Sequence, residues 1–330
     1  MIPARDSEYP DPDLSRRRVL RQRVLRWYAR HRRVLPWRDV DNPYSIMVSE
    51  FMLQQTQVSR VLDHLPRWLE RFPDLPALAR ASRRDVLLAW SGMGYNRRAL
   101  QLHAAAQSIV AEFGGVLPSD PALLQQLPGF GRYTAHAVAC FGHRRRLPLV
   151  EVNIRRVLSR LTTDMQSETR LLPEAETWRL AELLLPPRAF YDWNQALMDL
   201  GATICTARAP KCDRCPLQAE CPSAHRLVPD TIRRSPAGVT AYNLVREVPR
   251  RIYRGRVVEF LRGAEGHCTS ASRLHRVLFD IDGEEERARL LDILATLERD
   301  GMVRVTRRKK PVEVRNCVAP LAELRVCLTE

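Results

Sequence analysis

The chain has 330 residues, 45% hydrophobic and 28% charged, the make-up of a globular protein with room for two or three cores. No apolar run is long enough to span a bilayer, and the opening "MIPARDSEYPDPDL" has no apolar signal core. We therefore expect a cytoplasmic protein (nucleoid-associated if bacterial), with no membrane partner and a monomeric state. The formal charge is +15, clustered in "SRRRVLRQRVLRWYARHRR", "GHRRRLP", "PRRIYRGR" and "TRRKKP". Such clusters favour nucleic acid over an anionic membrane, because no basic helix with a bulky apolar face accompanies them.

Up to about residue 230 the chain reads as helix after helix, with no convincing strand. Leu20, Val24, Trp27 and Tyr28 make a helical stripe, with Ser15 as candidate cap. In "VSEFMLQQTQV" one carboxylate, Glu50, stands at a largely apolar helix start, ahead of Gln54, Gln55, Thr56 and Gln57. "SRRDVLLAW" opens with a capping box from Ser82 to Asp85. Leu102, Ala105, Ala106, Ile109 and Phe113 form a stripe that stops at Gly114-Gly115. "PEAETWRLAELLL" and "AFYDWNQALMDLGATIC" continue the helical pattern.

After about residue 230 the character changes. "VPDTIRRSPAGVTAYN" reads as a linker. Helices are expected near Tyr253–Leu261 and Ser270–Leu278 and over "EEERARLLDILATLERDG", followed by a hairpin of "MVRVT", "RRKKP" and "VEVRNCV". Three helices and a hairpin resemble a winged helix. Its long last helix carries at least as much acid as base, so the basic hairpin is the better candidate for DNA, and a packing or protein-contact role is an equal alternative.

Four of the eight cysteines, Cys205, Cys212, Cys215 and Cys221, are spaced C-x6-C-x2-C-x5-C. In a cytosolic chain this spacing indicates metal rather than disulfides. It is more compact than the paired C-x2-C of zinc ribbons and suits four thiolates around a 4Fe-4S cluster. Cys140, Cys268, Cys317 and Cys327 are expected as small core residues. "LPGFGRYTAHAV" places Gly129 and Gly131 around an apolar residue and before a helix. The glycines permit close backbone approach, and the helix start beginning with Arg132 offers N–H groups to a phosphate.

These stretches resemble the endonuclease III superfamily: the cysteine spacing matches its cluster loop, and "LPGFGRYTA" its helix-hairpin-helix. "LPWR", "NPY", "SEFMLQQTQV" and "GMGY", in that order over about residues 20–225, resemble its adenine-specific, MutY-type branch. The resemblance implies a mainly α, two-lobed helix-hairpin-helix DNA glycosylase fold with a 4Fe-4S cluster loop, plus a C-terminal winged-helix-like α+β domain. Residues 1–230 would be the glycosylase core, with a six-helix lobe over about 42–146 and a cluster lobe from about 14–41 with 147–225. Residues 231–330 would be the C-terminal domain.

The resemblance also implies roles. Glu50 would be the acid that protonates adenine N7, and Glu151, in "VEVNIRRVLSR", the carboxylate that stabilises positive character at C1′. Tyr133 and Asn153 would position water and acid. Trp37 and Arg38 would line the base pocket. Gln55 would wedge into the stack when the adenine is flipped, and Tyr95 would wedge or stack beside the opposing base. Bifunctional relatives carry a lysine nucleophile where this chain has Tyr133. Lysine occurs only at 211, 309 and 310, so the expectation is a monofunctional enzyme without lysine-based lyase activity. The implied substrate is double-stranded DNA with adenine opposite 8-oxoguanine or guanine. The alternatives are thymine or uracil opposite guanine, or a lesion-binding protein with little turnover. Three departures bear on the choice: Glu151 replaces an aspartate, Asn96 stands where a second tyrosine is common, and the C-terminal segment does not look like the usual Nudix-like domain.

Overall fold

The computed structural model describes residues 11–164, 171–226, 244–245, 248–279, 283–307, 310–311, 314 and 320–330. The expected linker at 228–243 lies outside them, as does Cys317. Two compact units are interleaved in sequence. The first takes residues 1–50, 118–126 and 130–233, and the second takes 51–117, 127–129 and 234–330. Among the described residues no helix is long and apolar enough to cross a membrane.

The first unit is helical. It contains α1 (Leu14–His31), most of α2 (Pro43–Leu53), α7 (Pro121–Leu124), α8 (Arg132–His143), α9 (Val152–Thr162), α10 (Glu174–Leu184) and α11 (Phe190–Thr203). α1 is capped by Asp13, whose carboxylate accepts from Arg16 N at 2.7 Å; Ser15, the expected cap, is its second residue. Asp13 wins because it stands just ahead of the apolar stripe with extended backbone. The stripe buries Leu20, Val24 and Tyr28 against Leu158 and Leu161 of α9, Leu184 of α10, and Trp193 and Leu200 of α11. Fully burying side chains of this size contributes about 1.5–3 kcal/mol each. α2 starts at Asn42-Pro43, where Asn42 Oδ1 accepts from Ser45 N at 3.1 Å and proline takes the first helical position. Glu50 is therefore near the end of α2 and not at a helix start as expected, and the glutamine run forms the turn after the helix.

The second unit contains α3 (Val58–Arg71), α4 (Leu75–Arg80), α5 (Arg83–Ala89) and α6 (Arg97–Phe113). Ser82 caps α5 through Asp85 N at 3.0 Å, as the capping box requires. α6 stops at Gly114, which takes the left-handed conformation at φ 61°. The C-terminal segment adds a pairing of β1 (Leu244–Val245) with β2 (Val248–Pro249), then α12 (Arg250–Gly263), β3 (Cys268–Ser270), α13 (Ala271–Leu278), α14 (Glu284–Arg299), β4 (Val303–Arg307), β5 (Lys310–Pro311) and β6 (Leu324–Leu328). The antiparallel order is β3-β6-β4-β5. Three helices with a small sheet are thus present, as expected.

Two expectations there are corrected. The main partner of β4 is β6, in a register from Val303↔Leu328 to Arg307↔Leu324, while β5, paired with Thr306 and Arg307, falls in the expected turn; of the expected return strand only Val314 is among the described residues. Cys268 and Cys327 are not separate core thiols. Their register puts them opposite one another on β3 and β6, with Cα atoms 4.1 Å apart, and they form a disulfide. Leu87 of α5 joins the core of this segment, and Arg262 of α12 donates to Leu87 O at 3.1 and 2.8 Å.

Candidate active site and cluster loop

The first unit gathers two acids, a tyrosine and an amide. Glu50 is 4% exposed, within the apolar surroundings of α2. Burial is the main force raising its carboxyl to about 7; the Tyr133 hydroxyl opposes the rise, the Glu151 charge adds to it, and Arg38 opposes it. Tyr133 Oη donates to Glu50 Oε2 at 3.0 Å. Burial and both carboxylates push the Tyr133 hydroxyl well above its ordinary value, so it remains a donor.

Glu151 caps α9. Its Oε1 accepts from Ile154 N at 2.8 Å, and its Oε2 accepts from Asn153 Nδ2 at 3.0 Å. Burial raises this carboxyl too, but the N–H groups of Asn153 and Ile154, the Arg156 charge and the Asn153 amide all favour the carboxylate. The two acids therefore sit in different fields: one in an apolar pocket with a single hydroxyl, the other on a helix start with several donors. That asymmetry is what separates a general acid from a stabilising carboxylate.

Asn153 Oδ1 accepts from Arg156 Nη2 at 2.7 Å, and Arg156 also donates to Gly201 O at 2.7 Å and Cys205 O at 2.8 Å. A continuous line of hydrogen bonds thus runs from Glu151 to the backbone of the cysteine loop. Gly201 has to be glycine, since a Cβ there would lie 2.6 Å from Asn153 Cβ.

Arg38 and Trp37 are both buried, at 8% and 6% exposure. The Arg38 guanidinium is turned onto Asp199, Nη1 to Oδ2 at 2.9 Å and Nη2 to Oδ1 at 2.8 Å. Arg33 completes the cluster, with Nε to Asp199 Oδ1 at 2.6 Å. Burial alone raises the Asp199 carboxyl, but the two arginines hold it below the usual carboxylate value. Sequence reasoning missed Asp199 and Arg33. The available signal was an acid among Leu197, Met198 and Leu200, since a carboxylate on an apolar helix face needs a cationic partner.

Cys205, Cys212, Cys215 and Cys221 line one small cavity of about 30 Å³ with Arg160, Ile204 and Lys211. Among the described residues, no three histidines, cysteines or acids converge on a single metal-ion position. Four thiols around a common space, but not around one ion position, fit a multi-iron cluster better than a lone zinc. These four would hold a 4Fe-4S cluster, which braces the loop when bound. Burial raises Cys215 to about 12 and Cys221 to about 11, so these thiols would need the positive charge of bound iron to become thiolates. Arg160, 2% exposed, donates to Thr206 O at 2.7 Å and Ala207 O at 2.8 Å and points Nη1 at Cys205 Sγ, 3.4 Å away.

The hairpin glycines differ in function. Gly129 takes φ +79°, and a Cβ there would lie 2.7 Å from the Phe51 ring and 2.9 Å from Gln101 Cβ. Gly131 caps α8 with open space around it, so the helix start beginning at Arg132 is accessible. Arg132 lies 3.9 Å from the Trp178 ring centroid.

The second unit holds Gln55 and Tyr95. Both are exposed, Tyr95 by 50%, and both have left-handed backbone, at φ 52° and 47°. Such a conformation costs about 1–2 kcal/mol for a residue with a Cβ. They line a cavity of about 550 Å³ with Gln54, Asn96 and Arg98, and with Arg251 and Ile252 of α12. Asn96 has a use of its own here: its Oδ1 accepts from Arg262 Nη2 of α12 at 2.8 Å. Sequence reasoning missed Arg98, although its place four residues before Leu102 on the apolar stripe of α6 marks it as buried.

Residues 48–182 match the HhH-GPD superfamily base excision DNA repair protein family, and residues 205–221 match the iron-sulfur binding domain of endonuclease III. An adenine DNA glycosylase of Mycobacterium tuberculosis is 40% identical over 299 residues, covering 88% of this chain and 95% of the relative. One from Mycolicibacterium smegmatis is 39% identical over 292 residues, covering 86% and 92%. Among solved structures, a thermostable thymine-DNA glycosylase aligns with a TM-score of 0.59 at 28% identity, over 63% of this chain and 96% of its own. With a buried acid beside a second carboxylate, a glycine hairpin and a four-cysteine loop in place, the chain belongs to the HhH-GPD superfamily of base excision DNA repair proteins, in its adenine DNA glycosylase branch.

Proposed function

We propose that the chain binds double-stranded DNA as a monomer and hydrolyses the N-glycosidic bond of adenine mispaired with 8-oxoguanine or guanine, leaving the sugar–phosphate chain intact. The observation that carries this reading is Glu50, a buried carboxyl raised to about 7 and held by Tyr133. At neutral pH a large fraction of it is protonated, so it can give a proton to adenine N7. The base leaves with the electron pair of the C1′–N9 bond. The positive character left on the sugar is stabilised by the Glu151 carboxylate, and a water supplies hydroxide to C1′ and returns a proton.

No amine replaces that water. Tyr133 stands at the position where bifunctional relatives carry lysine, and a phenol cannot form a Schiff base. Gln55 and Tyr95 enter the stack that the adenine vacates, and the hairpin at Gly129 and Gly131 with Arg132 takes a phosphate. The winged-helix-like segment 231–330 supplies Arg251 and Ile252 to the cavity beside Gln55 and Tyr95. Adenine is favoured over thymine by the 40% identity to an adenine DNA glycosylase along nearly its whole length, against 28% to the thymine-DNA glycosylase.

The test uses duplexes with adenine opposite 8-oxoguanine or guanine, and thymine or uracil opposite guanine, followed by hot alkali to cut abasic sites. Adenine release that depends on Glu50 supports the reading. Release of a pyrimidine alone would replace it, and tight binding without release would make the chain a lesion-binding protein.

A further inference from the structure

Gln55 and Tyr95 lie 40 positions apart in sequence, yet both are non-glycine residues with positive φ, at 52° and 47°. A residue with a Cβ does not hold that conformation unaided, so neighbouring structure has to fix it. The turns that carry them share one side chain. Arg98 Nη1 donates to Phe51 O at 3.0 Å, to Met52 O at 3.1 Å and to Gln54 O. These carbonyls are the open end of α2 and the step into Gln55, where helix geometry leaves carbonyls without partners. Arg98 Nη2 donates to Thr56 Oγ1 at 2.9 Å, just beyond Gln55. It also reaches Met93 O and Gly94 O, each at 3.4 Å, directly before Tyr95. The guanidinium carbon is 5.4 Å from the Tyr95 ring centroid. Arg98 itself is buried, at 7% exposure.

We infer that Arg98 is a positioning residue for base extrusion: one buried guanidinium locks the Gln55 and Tyr95 turns together, so that both side chains enter the DNA stack as a rigid pair. This rests on the reading of Gln55 and Tyr95 as stack-opening side chains. The geometry requires arginine, because a planar fork presents donors from two nitrogens to two turns at once. A lysine ammonium is a single point of charge and can satisfy one turn only. Pre-organising the pair removes the ordering cost that two mobile loops would otherwise impose at the moment of insertion.

The test compares the full-length protein with its Arg98→Lys and Thr56→Val variants, each also made in a Gln55→Ala, Tyr95→Ala background. Two readouts are taken: the fluorescence rise of 2-aminopurine placed beside the target adenine, which reports unstacking, and single-turnover adenine release. Arg98→Lys should lower both by about tenfold, the scale expected when reacting groups are misplaced but retained. Thr56→Val should act in the same direction by a smaller factor. In the background lacking both stack-opening side chains, Arg98→Lys should change either readout by less than about twofold, since coupled residues are non-additive. An equal penalty in both backgrounds, or an unstacking signal unchanged by Arg98→Lys, would overturn the inference. If Arg98→Lys fails to fold, judged by cluster absorbance and circular dichroism, the Thr56→Val comparison decides by the same criterion. If the parent chain releases no adenine, the glycosylase reading fails by itself, and the 2-aminopurine comparison still decides the role of Arg98.

Discussion

Replacing Glu50 by glutamine should do two opposite things. It removes the proton donor, and excision should fall by about 10²–10⁴-fold, the contribution typical of a positioned acid. It should also stabilise the fold, but only at higher pH. The Glu50 carboxyl rises from 4.5 to about 7 on folding, chiefly through burial. A group raised in this way binds more protons in the folded state between those values, so stability is full below about 4.5 and declines as pH rises through about 7. At 1.36 kcal/mol per unit the decline amounts to about 3 kcal/mol above pH 8. Glutamine keeps the carbonyl that accepts from Tyr133 and carries no charge to bury, so the variant should escape that decline. Denaturant or thermal melts of both proteins at pH 5 and pH 8, with single-turnover excision at each pH, measure both effects. The parent rate should fall as pH rises through about 7, because the protonated form is the active one. A stability difference equal at the two pH values, or a parent rate flat between them, would refute the assignment of a buried, protonated acid.

Other residues give sharper or broader losses. Asp199→Asn leaves Arg33 and Arg38 without their carboxylate, one of them buried; melts should show a loss of about 3–5 kcal/mol, as when a buried ion pair loses one partner. Gly201→Ala pushes Asn153 away from Glu151, since its Cβ would lie 2.6 Å from that of Asn153; overpacking should cost about 1–3 kcal/mol in melts, and excision should fall further than stability explains. Cys215→Ser should abolish the visible absorbance of the cluster and lower the melting temperature, because binding energy at a structural metal site is folding energy. Borohydride added during turnover should trap no covalent adduct with DNA, and a trapped band on a denaturing gel would point to an amine nucleophile.

What the sequence disclosed was local, and what it concealed was long-range. The cysteine spacing, the glycine hairpin and the two carboxylates are each contained in a dozen or so residues, and their chemistry can be read from residue type and offset. The acid at 50 was legible as an acid in apolar company but was placed at the wrong end of its helix. Asn42-Pro43 is a cap followed by proline at the first helical position, and that signal fixes the start of α2 seven residues before Glu50. Asp199 and Arg38 lie 161 positions apart, and nothing local says that they meet. The same holds for Arg98 and the carbonyls of α2, and for Cys268 and Cys327, which the register of β3 and β6 brings face to face. The departure at Asn96 becomes intelligible only with α12 in place, because its side chain accepts from Arg262.

The near-absence of lysine then connects fold and chemistry. Arg38, Arg98, Arg156 and Arg160 are all buried, and each binds more than one acceptor, carbonyls and thiol sulfur among them. An ammonium would be a poor substitute at these positions: it presents fewer donors, lacks the fork, and loses its proton more readily when desolvated. Even Arg98, whose burial lowers it to about 10, stays charged at neutral pH. Arginine cannot act as an amine nucleophile, so these buried guanidinium groups offer none for the covalent capture of a sugar. The proposed bond breaking calls on a proton and a carboxylate, and Glu50 and Glu151 meet that need in different surroundings: burial raises both carboxyls, but Glu50 has one hydroxyl beside it while Glu151 has several donors that offset part of the rise.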